Sequence, residues 1–133
     1  MTPDQYLDKA LRALSSARLL LADGDVDGAC NRAYYAMFDA AHAALLGSGT
    51  PINPAETKTH RGLIGAFGHH LVKAGHLSPE LGRALNEIER IRRLADYTEE
   101  DISYEKANWA VEQAAAFVAA MRAKFLPGSS GEE

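Results

Sequence analysis

Residues 27–46 read DGACNRAYYAMFDAAHAALL, and this stretch decides the fold. Successive residues on a helix turn by ~100°. Ala29, Ala33, Ala36, Ala40 and Ala44 then form one face of small residues, suited to close approach of another helix. Tyr34, Phe38, Ala41 and Leu45 form a second apolar face on the far side. A helix apolar nearly all round must be covered nearly all round. In a chain of this size one cover is the core, and the other is expected to be a second subunit, giving a homodimer. The competing reading is a central helix wrapped entirely by its own chain.

Working outward, the same periodicity predicts four more helices and no strand. Thr2-Pro3-Asp4-Gln5 opens the first with an N-cap threonine, a proline at N1 and a glutamine at N3. Leu7, Ala10, Leu11, Leu14 and Leu21 give its buried stripe, which stops near Asp23-Gly24. Residues 48–57, SGTPINPAET, form the one long connection. A third helix is expected from Thr59 to Ala74, with Gly75 at its end. A fourth runs from Ser78-Pro79-Glu80 to about Ala95, and a fifth is capped by Ser103. Short links between long helices imply an all-α, antiparallel up-and-down bundle over residues 1–126. Residues 127–133, PGSSGEE, are expected to be a disordered tail.

With 133 residues the chain is long enough for one domain with its own core. A net charge of −4 and a pI near 5.7 exclude a global basic field, so any affinity for nucleic acid must be local. The single cysteine, Cys30, forms no internal disulfide, a pattern of the reducing cytoplasm. No signal-peptide pattern opens the sequence, and no apolar run approaches the ~20 residues a bilayer requires.

Three constellations carry chemistry. Arg32, Tyr35, Asp39 and His42 share a strip of the second helix. It is either a solvated edge or a cleft wall that offers a cation, a phenol and an imidazole to an anionic ligand. In the fourth helix Leu81, Ala84, Leu85, Ile91 and Ala95 gather around Ile88, and Arg92 falls inside that arc, whereas Arg93 points away. A guanidinium buried there needs partners, and Asp96 stands one turn on. His60, His69, His70 and His76 lack carboxylates at matching spacing, so no metal site is expected. Gly62, Gly65 and Gly68 are expected to let another helix come close. No phosphate loop, catalytic triad order or cofactor motif is present.

The segments NRAYYAMFDAAHAAL, KTHRGLIGAFGHHLVKAG and ELGRALNEIERIRRLADY together resemble the HEPN family, in particular its small single-domain bacterial and archaeal branch. The likeness spans residues 5 to 122. It implies a helical bundle that dimerises and places two copies of the fourth-helix motif beside a shared cleft. Many HEPN proteins are metal-independent ribonucleases using an arginine followed, after four to six spacers, by a histidine. Several are toxins paired with a minimal nucleotidyltransferase. The motif arginine falls on Arg92, and its histidine position falls on Tyr97, preceded by Asp96. A phenol with a pKa near ~10 is a poor proton acceptor. Arg92 and Tyr97 converge only if the helix ends or distorts around Ala95, or if two subunits each contribute one.

The resemblance and the residues together favour a dimeric module that binds RNA or a nucleotide through Arg92, helped by Arg32, Tyr35 and His42, with a nucleotidyltransferase partner. One alternative is a metal-independent endoribonuclease in which Asp96 or Tyr97 replaces the histidine. Another is a purely structural or protein-interaction bundle in which Arg92 and Asp96 only pair. Tyr97 and Tyr104 are candidate acceptors of a nucleotidyl group.

Overall fold

A computed structural model of the protein describes residues 1–97 and 101–127; residues 128–133 of the expected tail lie outside it, as does the side chain of Tyr97. The helices are α1 (Pro3–Ala22), α2 (Val26–Gly47), α3 (His60–Phe67), α4 (Pro79–Tyr97) and α5 (Tyr104–Phe125). A short 3₁₀ turn, Pro54–Thr57, precedes α3, and a π-helical turn, Gly68–Val72, continues it. No strand occurs among the described residues, so the fold is an all-α helical bundle.

Local chemistry explains the boundaries. Thr2 and Gln5 exchange both capping-box hydrogen bonds, at 2.8 and 3.1 Å, and fix the start of α1. At its end Gly24 adopts φ 87°, a left-handed turn in which Asp25 N–H donates to Leu20 C=O at 2.9 Å. Asp25 then caps α2 through Gly28 N–H at 2.9 Å. The three-residue link makes α1 and α2 antiparallel neighbours, and they pack along one another more extensively than any other pair.

α2 is the axis of the bundle, touching α1, α3, α4 and α5. Ala29, Ala33, Ala36, Ala40 and Ala44 have no exposed surface, and neither do Tyr34, Ala41 and Leu45 on its other face. The chain therefore covers most of both apolar faces of α2 by itself, with Phe38 of the second face left half-buried. Crowding by alanine lets the helix backbones approach closely while the larger Leu7, Phe67, Phe117 and Met121 fill the spaces around them.

The α3 region departs from the expected single helix. Its α-helical part ends at Phe67, and Lys73 N–H reaches back five residues to Gly68 C=O at 2.8 Å. The three glycines serve different ends. A Cβ at Gly62 would lie 2.3 Å from the Glu56 carbonyl oxygen, so this glycine lets the 3₁₀ turn, rather than a helix, approach. Gly65 and Gly68 face open space. α4 also runs past Ala95 to Tyr97, so the helix does not end where convergence of Arg92 and Tyr97 requires it.

Candidate functional site: a cleft between α3 and α4

Arg92 is the inward arginine of α4. Its side chain is 12% exposed, against 55% for Arg93. Nη1 donates to Asp96 Oδ2 at 3.1 Å, and Nη2 lies 3.7 Å from Glu89 Oε2. The guanidinium also sits 4.8 Å above the ring of Tyr34 from α2, a cation–π contact in a partly desolvated place. Nε is sealed from solvent and has no hydrogen-bond partner. The expected pair with Asp96 is thus present, and the other carboxylate comes from Glu89 of the same helix. Most of this charge is matched from within the chain.

Tyr34 links Arg92 to a histidine that the fourth-helix motif lacks. The Tyr34 hydroxyl lies 2.9 Å from Nδ1 of His60, the first residue of α3. Thr59 caps that helix through Gly62 N–H at 2.9 Å and so fixes where His60 emerges. Phe38 and Tyr35 enclose the imidazole at ring distances of 4.6 and 5.6 Å. Burial pushes the His60 pKa below its ordinary value, and the nearby Arg92 cation pushes it further; Glu89 opposes both. Burial raises the Tyr34 phenol well above its usual range.

Above this layer lies a cleft of about 390 Å³ lined by His60, Arg61, Ile64, Asn86, Glu89 and Arg93. Arg61 is exposed and has no partner among the described residues. Arg93 donates from Nε to Glu89 at 3.1 Å, which leaves its terminal nitrogens free. Asn86 gives its amide N–H to the Gly82 carbonyl. The cleft therefore offers unmatched donors to an anion, while Arg92 lies beneath it as a buried support.

The strip on α2 is split. Tyr35 joins the aromatic cluster around His60, and the Arg32 guanidinium lies 5.4 Å over the Tyr35 ring. His42 instead stacks on Tyr6 of α1 at 4.0 Å, and burial lowers its pKa. It is not brought to Arg92. Asp39 is 6% exposed and has neither hydrogen bond nor ion pair among the described residues; burial raises its pKa, with Lys9 and Arg32 pulling the other way. Tyr104 is 56% exposed at the start of α5, far enough into solvent to be reached by another protein. Cys30 is buried, and burial lifts its thiol to about 11, so it is inert.

Sequence reasoning missed Tyr34 and His60. The available signal was a buried phenol, whose hydroxyl must find a partner. Among the described residues no cluster of three or more metal-ligating side chains occurs, and no helix is long and apolar enough to cross a membrane.

The family model described as "HEPN domain" matches residues 4–124. The chain belongs to the HEPN family. A "UPF0332 protein" of Gloeobacter violaceus is 41% identical over 99 residues, which is 73% of this chain and 75% of that protein. A Methanocaldococcus jannaschii protein bearing the name "Putative toxin MJ0605" is 35% identical over 105 residues, 79% of this chain and 75% of its own length. A further "UPF0332 protein", from Thermotoga maritima, is 35% identical over 91 residues, covering 68% and 65% of the two chains.

Proposed function

We propose that this HEPN protein is a toxin-like module that binds the phosphate of an RNA or nucleotide in the α3–α4 cleft, acts as a homodimer, and works with a nucleotidyltransferase partner. The observation that carries the reading is the layering: unmatched Arg61 and half-free Arg93 at the cleft, with Arg92 fixed beneath them over Tyr34. Guanidinium groups suit phosphate because their planar donors match its oxygens. The toxin-like part rests on the name of the Methanocaldococcus jannaschii relative.

Arg92 serves this site as a buried cation that holds the cleft floor, and Arg32 with Tyr35 forms its flank. Titration of the protein with a short single-stranded RNA and with ATP tests the reading. Saturable binding of one of them, weakened by Arg93→Glu, is expected. Binding of neither would end the proposal. Tyr104 is the accessible acceptor for a nucleotidyl group. Co-expression with a nucleotidyltransferase encoded beside this chain should add nucleotidyl mass that Tyr104→Phe abolishes. Unchanged mass in the wild type would remove the modification. A light-scattering mass equal to one chain would remove the homodimer.

A further inference from the structure

We infer that His60 is a phosphate-reading residue of the α3–α4 cleft, a neutral imidazole locked by the buried Tyr34 hydroxyl into the tautomer that presents Nε2–H to the ligand, beside the Arg61 guanidinium. The inference rests on the cleft being a phosphate site, and it names which residues touch the phosphate and in what protonation state.

The argument starts from Tyr34. The residue has no exposed surface, and among the described residues His60 Nδ1 at 2.9 Å is the sole hydrogen-bond partner of its hydroxyl. A buried hydroxyl left without an acceptor forfeits its full desolvation cost, ~1–3 kcal/mol. The phenol stays protonated because burial disfavours its anion. It must therefore donate, and Nδ1 must accept. A neutral imidazole that accepts at Nδ1 carries its proton on Nε2.

Nε2 is the nitrogen left to the cleft. His60 lines that space, its Nδ1 is taken, and Nε2 has no partner among the described residues. It is also not sealed: Arg92 Nε is the buried polar side-chain atom without a partner among the described residues. The titratable and charged groups that face the ring are Tyr34 and Tyr35 from α2 and Arg92 and Glu89 from α4. Burial and the Arg92 charge both oppose protonation, and Glu89 is drawn toward Arg92 and Arg93.

A fixed, neutral N–H next to an unpaired guanidinium is a two-point receptor for a phosphate oxyanion. The ligand chemistry is a phosphate monoester or diester, which a nucleotide and an RNA backbone share. A neutral donor reads phosphate without changing charge near pH 7, so recognition there does not titrate with this histidine. An imidazole held with Nε2 protonated is a donor rather than a proton acceptor, which assigns His60 to binding.

The test uses the full chain, with ATP and a short single-stranded RNA as separate probes. His60→Ala and Arg61→Ala are each expected to weaken the probe that binds by about tenfold or more. Preference for ATP or for RNA then tells a terminal phosphate from a backbone phosphate. Wild-type affinity for the RNA probe, whose backbone phosphates keep one charge near neutrality, should be level between pH 7 and 8. Nitrogen-15 spectra of the histidine rings should place the His60 proton on Nε2, and Tyr34→Phe should convert this to a mixture of tautomers and weaken binding. If the wild type binds a probe but His60→Ala binds it equally well, or if the proton resides on Nδ1, the inference is overturned and the cleft reading stands. If the wild type binds neither probe, the cleft reading fails and this inference with it.

Discussion

Along α1 and α2, Ala10, Ala17, Ala29, Ala33, Ala36 and Ala40 have no exposed surface, whereas on α3 and its continuation Gly65 and Gly68 face open space. Both regions use small residues, to opposite effect. In the first, absent side-chain bulk is replaced by the neighbouring helix, and the contact is continuous. In the second, a side chain would meet no neighbour, because these positions face open space, and the segment winds on into a π turn. Small residues by themselves do not forecast tight packing. Their consequence depends on whether an apolar partner face lies opposite.

The largest effect should come from the support beneath the cleft. Removing a partly buried guanidinium leaves Glu89 and Asp96 without their cation, and breaking such a pair costs about 3 kcal/mol. Glu89 keeps Arg93, and Asp96 can turn toward water, which limits the loss. Arg92→Ala should therefore lower the unfolding free energy by about 2–3 kcal/mol in a urea titration. A loss near zero would mean that Arg92 is not a structural support and would place it in the open part of the cleft.

The tightly packed side breaks in the other direction. Ala36→Leu adds three carbons where no surface is exposed, and overpacking of this kind costs about 2 kcal/mol. Urea unfolding at unchanged slope would measure it. A neutral result would reveal a seam beside α2 that the chain does not fill, and would strengthen the case for a second subunit docked there.

Much of this division was readable before any coordinates. Thr2 with Gln5, Pro3 and Ser103 mark helix starts through contacts within three residues, so their signal is local and survives into the structure. The inward turn of Arg92 and its pairing with Asp96 follow from helical spacing alone. The partnership of Tyr34 with His60 does not, because it joins residues 26 apart through the packing of α3 against α2. Tyr34 also sits on an apolar face, where its ring satisfies the periodicity and conceals its hydroxyl. Which molecule covers the faces of α2 was not legible either. Periodicity reports that a face is covered, but not whether the same chain covers it.

A smaller effect sharpens the contrast among the glycines. Gly65→Ala places a methyl in open space on a helix and should stabilise the protein by up to ~1 kcal/mol. Gly62→Ala drives the same methyl against the Glu56 carbonyl and should destabilise it. Thermal melts of the two single variants test this, and equal shifts would contradict the different roles assigned to them.

The smallest effect concerns two half-buried imidazoles, His42 on the packed side and His60 at the cleft. Burial depresses both pKa values, so in the folded protein each prefers to stay neutral. The sign follows from linkage. Their contribution is fully present above the unfolded value of ~6.5 and is lost as pH falls through the lower folded values. The local consequences differ. Protonation of His42 charges a ring stacked on Tyr6, near the N-terminal amine and Lys9. Protonation of His60 does more: it turns Nδ1 into a donor facing the Tyr34 hydroxyl, leaving a buried phenol with no acceptor. Both His42→Gln and His60→Gln should reduce the fall in melting temperature between pH 7 and pH 5. The His60 substitution should reduce it more, since glutamine offers an oxygen that accepts from Tyr34 at either pH. An equal or larger effect at His42 would show that the phenol does not depend on Nδ1, and that the two sides of the molecule respond to acid through burial alone.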